Sequence, residues 1–283
     1  MKLLLRLLLL LTVPCALAAG SARTILLPGA HWTQVNGHKL YYQTRGAGRP
    51  LLLLHGGGNN VADAWGEQLE AFSSGHQIIA PEQVGQGHTP DIPGPLDYAA
   101  MAEDTVALLR QLHLKNVDVI GHSDGAILAL IIAVRHPELV RRMVISGANL
   151  EPSGLTAESL AETRATPATA MMSPEDQAEY DAMSPDGHDH AVVINEKLRQ
   201  LWLTQPTHEQ LSPDLLRHID KPVLVMSGDH DEIRLDHTLL IFRSLPQAHL
   251  WILPDTGHMT FNTRARWVNP VVLSFLDGQL EEN

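Results

Sequence analysis

Cysteine is nearly absent. Cys15 is the only one in 283 residues, so the chain has no pair from which to build a disulfide framework. Positive charge is also scarce: 20 Lys and Arg stand against 32 Asp and Glu, for a formal net charge of −12. Nucleic acid and anionic membranes both demand basic patches, and neither is expected as a partner. No apolar run reaches the ~20 residues that a membrane-spanning helix needs.

The longest apolar run lies at the start, in "MKLLLRLLLLLTVPCALAAG". Lys2 and Arg6 form a basic opening, the apolar stretch after Arg6 is only about 13 residues, and Ala16-Leu17-Ala18 offers a small-x-small cleavage site. Residues 1–18 therefore read as a secretory signal, and the protein as secreted or periplasmic. Pro14 precedes Cys15 where lipidation would need a small residue. Cleavage after Ala18 removes Cys15, Lys2 and Arg6, which leaves no cysteine nucleophile and takes the formal charge to −14.

Beyond the leader, the pattern alternates. In "WTQVNGHKLYYQTRG", Asn36-Gly37 separates two runs of alternating character, a strong hairpin signal. The continuous apolar runs "RPLLLL" and "HQIIAP" suit strands buried on both faces. Tyr98, Met101, Ala102, Val106, Leu109 and Leu112 recur at helical spacing. Strands are expected at 117–120, 141–146, 222–228 and 249–254, with helices at 125–136, 236–244 and 267–277. Such alternation implies an α/β fold with a mostly parallel sheet and helices on both faces. About 70 residues from Ala148 to Lys221 break it, too many for a plain connection. Leu198, Leu201, Trp202, Leu215 and Leu216 mark them as a helical insertion, because disorder seldom retains such apolar anchors.

"VIGHSDGAIL" places Gly121-His122-Ser123-Asp124-Gly125, a G-x-S-x-G, between a strand and a helix, where that motif needs to be. The turn forces strained backbone angles on the serine, and flanking glycines remove Cβ atoms that would collide. A serine hydroxyl attacks only when a base takes its proton, so a histidine and a carboxylate must come from elsewhere. Among 16 histidines, His258 in "WILPDTGHMTF" follows the last strand. Asp229 and Asp231 in "VLVMSGDHDEI" both follow the strand before it, at the sheet edge where open α/β folds build their sites.

"GHSDG", "SGDHD" and "PDTGHM" in this order resemble the α/β-hydrolase fold family, and the likeness runs from about Trp32 to Leu280. It implies an eight-stranded, mostly parallel sheet flanked by helices, with core segments 19–147 and 221–283 and a helical cap at 148–220. It also implies Ser123, Asp231 and His258 as a triad, with Asp231 preferred over Asp229 by its place in the "SG-x-x-D" loop. The oxyanion hole falls to two backbone amides, those of Asp124 and of Gly57 in "HGGG". Two departures stand out. Val84 in "EQVGQGHT" replaces the family's arginine, which removes an ion pair from that loop. Asp124 replaces a more usual apolar residue and is expected to cap the helix.

A serine nucleophile implies an acyl-enzyme, so the expected activity is carboxylic-ester hydrolysis on a small-molecule ester or lactone. The close alternatives are a lactonase, a proline-iminopeptidase-like hydrolase and a carbon–carbon bond hydrolase. A non-catalytic binding module of the same fold is the alternative from another class, and an apparently complete triad speaks against it. "DGHDH" lacks zinc spacing, and the glycines at 56–58 lack the Lys-Ser/Thr of a phosphate loop. No metal and no cofactor are expected. Trp65, Met171, Met172, Trp202 and Leu203 are the expected walls of the substrate pocket; oligomeric state is not legible.

Overall fold

Asn36 and Gly37 both take positive φ, 45° and 93°, the twist that a two-residue hairpin demands. They join β1 (Ala30–Val35) to β2 (His38–Arg45) in antiparallel register, with Val35 opposite His38. The computed structural model describes residues 29–280, and the leader reading for 1–18 lies outside them. The remaining strands are β3 (Arg49–Leu54), β4 (His76–Pro81), β5 (Val117–His122), β6 (Val140–Ser146), β7 (Val223–Gly228) and β8 (Ala248–Leu253). The sheet order is β1-β2-β4-β3-β5-β6-β7-β8, parallel from β4 onward.

Helices α1 (Val61–Ser73), α2 (Tyr98–Gln111), α3 (Asp124–Arg135), α8 (Leu235–Ser244), α9 (Thr260–Thr263) and α10 (Ala265–Leu276) flank the sheet. Between β6 and β7 lie α4 (Ala157–Ala165), α5 (Pro174–Met183), α6 (Ala191–Thr204) and α7 (Pro213–Leu216). Strand periodicity divides the core. Leu51, Leu53, Ile78 and Ile120 face α1 and α10, while Leu52, Leu54, Ile79 and Val119 face α2 and α3. Helix α1 has no counterpart in the sequence reading, although Asn60 was a legible start signal. Its side chain accepts from the amides of Ala62 and Asp63 as an N-cap does.

Chain order and space order disagree at β3. From β3 the chain crosses to β4 on one side, then returns through α2 to β5 on the other. A crevice opens beyond the carboxyl ends of the two strands where the winding reverses, and this is where ligands bind in open α/β sheets. The loop after β3 carries Gly56-Gly57-Gly58, and the turn after β5 carries Ser123. Helix α6 is anchored nearby: Ile194, Leu198 and Leu201 join the α2/α3 core, and Lys197 Nζ donates to both Asp91 carboxylate oxygens at 2.8 and 2.6 Å.

One expected pocket wall belongs to this core instead. Trp65 is wholly buried, edge-on to Phe261 at 5.1 Å between ring centroids. It sits on the inward face of α1, so its bulk fills the layer between sheet and helix and cannot line a cavity.

Candidate active site

Ser123 occupies the single position between β5 and α3 with φ 53° and ψ −121°, a strained combination for a residue with a side chain. The surroundings hold it there. Its amide donates to Ser146 O at 2.8 Å, and its carbonyl accepts from Ala126 N at 2.9 Å. A Cβ on Gly121 would meet Gly125 O at 2.3 Å, and one on Gly125 would meet Leu54 O at 2.0 Å. Both glycines are therefore obligatory for the packing of α3 against β3 and β5. The Ser123 side chain makes no cap hydrogen bond. It lines a cavity of about 200 Å³ together with His258, Asp124, Gly57 and Trp202.

His258 reaches this cavity from the loop after β8. Its Nδ1 donates to Asp231 Oδ1 at 2.7 Å, which leaves Nε2 as the free base. Asp231 is pinned in turn: Ser227 Oγ donates to Oδ2 and Ile233 N to Oδ1, each at 3.0 Å. Burial alone would lower the His258 pKa, but the Asp231 hydrogen bond and charge, aided by Glu232 and Asp124, raise it above 6.5. Burial would push Asp231 up, and its bond and charge pairing with His258 bring it below 3.8 instead. The rival Asp229 points elsewhere. Its Oδ1 accepts from Thr256 N at 3.0 Å, and this and a second backbone bond from Asp255 lower its pKa to about 2. Asp229 thus fixes the loop that carries His258 without touching the imidazole.

Two further residues shape that loop, and neither was singled out from sequence. His122 Nε2 donates to His258 O at 2.9 Å, tying the last loop to the serine turn. Burial, then the nearby His258, lower the His122 pKa to about 4, so the ring is neutral. Gly147, with φ +67°, lies under the imidazole, where a Cβ would sit 2.6 Å from His258 Cε1. A glycine after β6 carried no motif that could have marked it.

The "HGGG" loop is held from below. Gln83 N donates to His55 Nε2 at 3.0 Å, so the His55 proton sits on Nδ1 and is donated to Gly56 O at 2.7 Å. A trans peptide points its C=O and N–H in opposite directions. Holding the Gly56 carbonyl therefore fixes the direction of the Gly57 amide. Gln86 Oε1 accepts from Gly58 N at 2.7 Å. In the loop where Val84 stands in place of the family's arginine, Glu82 accepts from Val61 N at 3.1 Å and from His88 Nδ1 at 2.8 Å.

Asp124 does not cap α3. Its side chain turns back toward the cavity, where Oδ1 accepts from Tyr98 OH at 2.7 Å and Oδ2 from Trp202 Nε1 at 3.0 Å. Side-chain donors have displaced the helix amides as partners, because Ser123, not Asp124, occupies the cap position. Burial raises the Asp124 pKa against the lowering effect of these two bonds. Of the other expected walls, Met171 and Met172 line a second cavity of about 430 Å³, and Trp202 lines both. Leu203 lines neither, since it is one step round α6 from Trp202. Sequence reasoning did not assign Tyr98, Thr163, Gln205 or Glu232 to the smaller cavity, which they line together with Asn149, Leu155 and Ile233. Its acidic side chains are those of Asp124 and Glu232, and among the described residues no lysine or arginine lines it. His188 and His190 of "DGHDH" bond Asp181 and Asp91, at 2.7 and 2.9 Å.

Comparison with known proteins agrees with this architecture. The chain is 29% identical over 219 residues to pyrrolizixenacetamide deacetylase of Xenorhabdus hominickii, covering 71% of this chain and 80% of that protein. It is 26% identical over 237 residues to 2-hydroxymuconate semialdehyde hydrolase of Pseudomonas sp. (strain CF600), covering 76% and 82%. The fold superposes on the meta-cleavage product hydrolase CumD of Pseudomonas fluorescens IP01 with a TM-score of 0.74 at 21% identity, over 88% of this chain and 97% of that one. A family model described as the alpha/beta hydrolase family matches residues 51–271, from within β3 to within α10, and the chain belongs to that family.

Proposed function

We propose that the protein is a serine hydrolase that cleaves small carboxylic esters through an acyl-enzyme, with Ser123 as nucleophile, His258 as base and Asp231 as its orienting carboxylate. One observation carries this reading: a serine in strained backbone geometry shares a small cavity with an imidazole whose far nitrogen is bound to a buried carboxylate. In this mechanism Ser123 Oγ attacks the ester carbonyl while His258 Nε2 takes its proton. The oxyanion forms against the amides of Gly57 and Asp124, at the positive end of α3. Collapse expels the alcohol, which takes the proton from His258, and water then releases the acid by the same route in reverse.

The walls bear on the substrate. A 2-hydroxymuconate is a carboxylate, and a cavity with two acidic side chains and no lysine or arginine among its described lining residues disfavours an anion. Neutral or positively charged esters suit it better. Activated amides remain within reach of the same acyl-enzyme chemistry, and the deacetylase relative is named for such a reaction. Export is part of the proposal too, and an intact mass that begins at Ala19 for protein recovered outside the cytoplasm would support it.

The test is a fluorophosphonate probe followed by intact mass, with p-nitrophenyl butyrate turnover in parallel. Wild type should gain one adduct and turn over the ester, while Ser123→Ala should do neither. An unlabelled, inactive wild type would favour a binding role.

A further inference from the structure

Three cavities share lining residues around α6, of about 430, 200 and 450 Å³, the third between α4 and α6. Among the described residues Trp202 alone lines all three. Its indole is held at two points. Nε1 donates to Asp124 Oδ2, one residue from the nucleophile. The neighbouring ring carbon Cζ2, on the same edge as Nε1, lies against Gly57, where a Cβ would be 2.9 Å away. Gly57 itself lines both the smaller cavity and the 430 Å³ one, so removal of the ring would join them directly.

We infer that Trp202 is a partition that sets the length of the substrate's apolar chain, kept closed by its hydrogen bond to Asp124. The inference rests on the hydrolytic reading above and adds what that site accepts. On the near side, the space of about 200 Å³ holds a short chain. On the far side, Met171, Met172, Met183, Ile194 and Leu198 offer an apolar bed, with Asp63, Asp176 and Glu179 among the other lining residues and no lysine or arginine. A longer chain entering there is aliphatic or aromatic and carries no negative charge. The third cavity contains Arg199, already paired through Nε and Nη2 with Glu196 at 2.8 Å each, so it does not compete as an anion site.

Opening the partition should expose four further methylenes of an octanoyl chain, relative to butyryl, to the methionine bed, and each buried methylene is worth about fourfold in affinity. The experiment measures kcat/KM for four- and eight-carbon chains in two series, p-nitrophenyl butyrate and octanoate and butyl and octyl acetate, for wild type, Trp202→Ala and Trp202→Phe. In one series the octyl-to-butyl ratio should rise at least about tenfold in Trp202→Ala. Trp202→Phe, which keeps an aromatic wall and loses the indole N–H, covers a failure of the alanine variant to fold and should move the ratio the same way. A ratio within twofold of wild type in both variants and both series overturns the partition. Calorimetric binding of the same esters to Ser123→Ala protein, with and without Trp202→Ala, reads the same ratio without turnover. Loss of fluorophosphonate labelling with the calorimetric shift present would overturn the hydrolytic reading and leave the partition standing. An absent shift would overturn the partition alone.

Discussion

At the scale of single residues, the decisive contrast is between two aspartates two positions apart. Asp231 receives His258 Nδ1 at 2.7 Å, and Asp229 receives the Thr256 amide. Asp231→Asn should therefore cut kcat by about 10⁴, because the amide favours the wrong imidazole tautomer. Asp229→Asn should cost at most about tenfold, through loosening of the loop; steady-state kinetics on one ester decides between them, and the reverse ranking would overturn the acid assignment. The pH profile follows from the same contact. His258 must be neutral to accept a proton, and its pKa is raised because Asp231 outweighs burial. The acid limb of kcat/KM should thus lie above 6.5, and in Asp231→Asn its residual activity should show a lower limb. Both aspartates were visible in "SGDHD", and only the family resemblance preferred Asp231; the residues alone left the two open, since the direction of each carboxylate depends on which backbone amides the β8 loop presents.

At the scale of elements, two glycines predict different failures. A Cβ on Gly125 would press on backbone, Leu54 O at 2.0 Å, so α3 would have to withdraw from β3. Gly125→Ala should lower stability by about 3 kcal/mol or more, seen as a fall in the urea midpoint. A Cβ on Gly57 would meet side chains, Asp124 Oδ2 at 2.3 Å and Trp202 Cζ2 at 2.9 Å. Gly57→Ala keeps its amide but the clash should push that proposed oxyanion donor out of place, so kcat should fall by up to about 10²–10³, the cost of a lost donor, with a smaller fall in the midpoint than Gly125→Ala. The strand-turn-helix unit around Ser123 was legible because its glycine spacing and apolar flanks are local. The Asp124 role was not, because Tyr98 and Trp202 arrive from α2 and α6, distant in sequence.

At the scale of the whole molecule, burial of histidines couples stability to pH. His122 titrates at about 4 in the fold, chiefly through burial, against about 6.5 when unfolded. His55 and His237 are lowered as well, again by burial first, and each accepts a backbone amide on Nε2, from Gln83 and Leu150 respectively. Between pH 6.5 and 4 the unfolded chain binds more protons at these sites, so their contribution is lost as pH falls, on the order of 2 kcal/mol for His122 by pH 5. His258, with its raised pKa, acts in the opposite sense: its stabilisation is full below 6.5 and is lost as pH rises through the folded value. Buried carboxyls with raised pKa, such as Asp124, also favour lower pH, so the His122 share is read as a difference. His122→Gln should lose less stability than wild type between pH 7 and 5 in urea melts, and equal losses would contradict it. By itself the sequence determined the succession of strands along the chain, the hairpin, the serine turn and the place of His258, because period-two burial and glycine spacing are properties of adjacent residues. Only the tertiary structure decided which aspartate faces the imidazole, that Trp65 fills the core, that Asp124 binds Trp202 and that the cavities meet at one indole. Those outcomes depend on where separate elements come to rest against each other, and no local pattern encodes that.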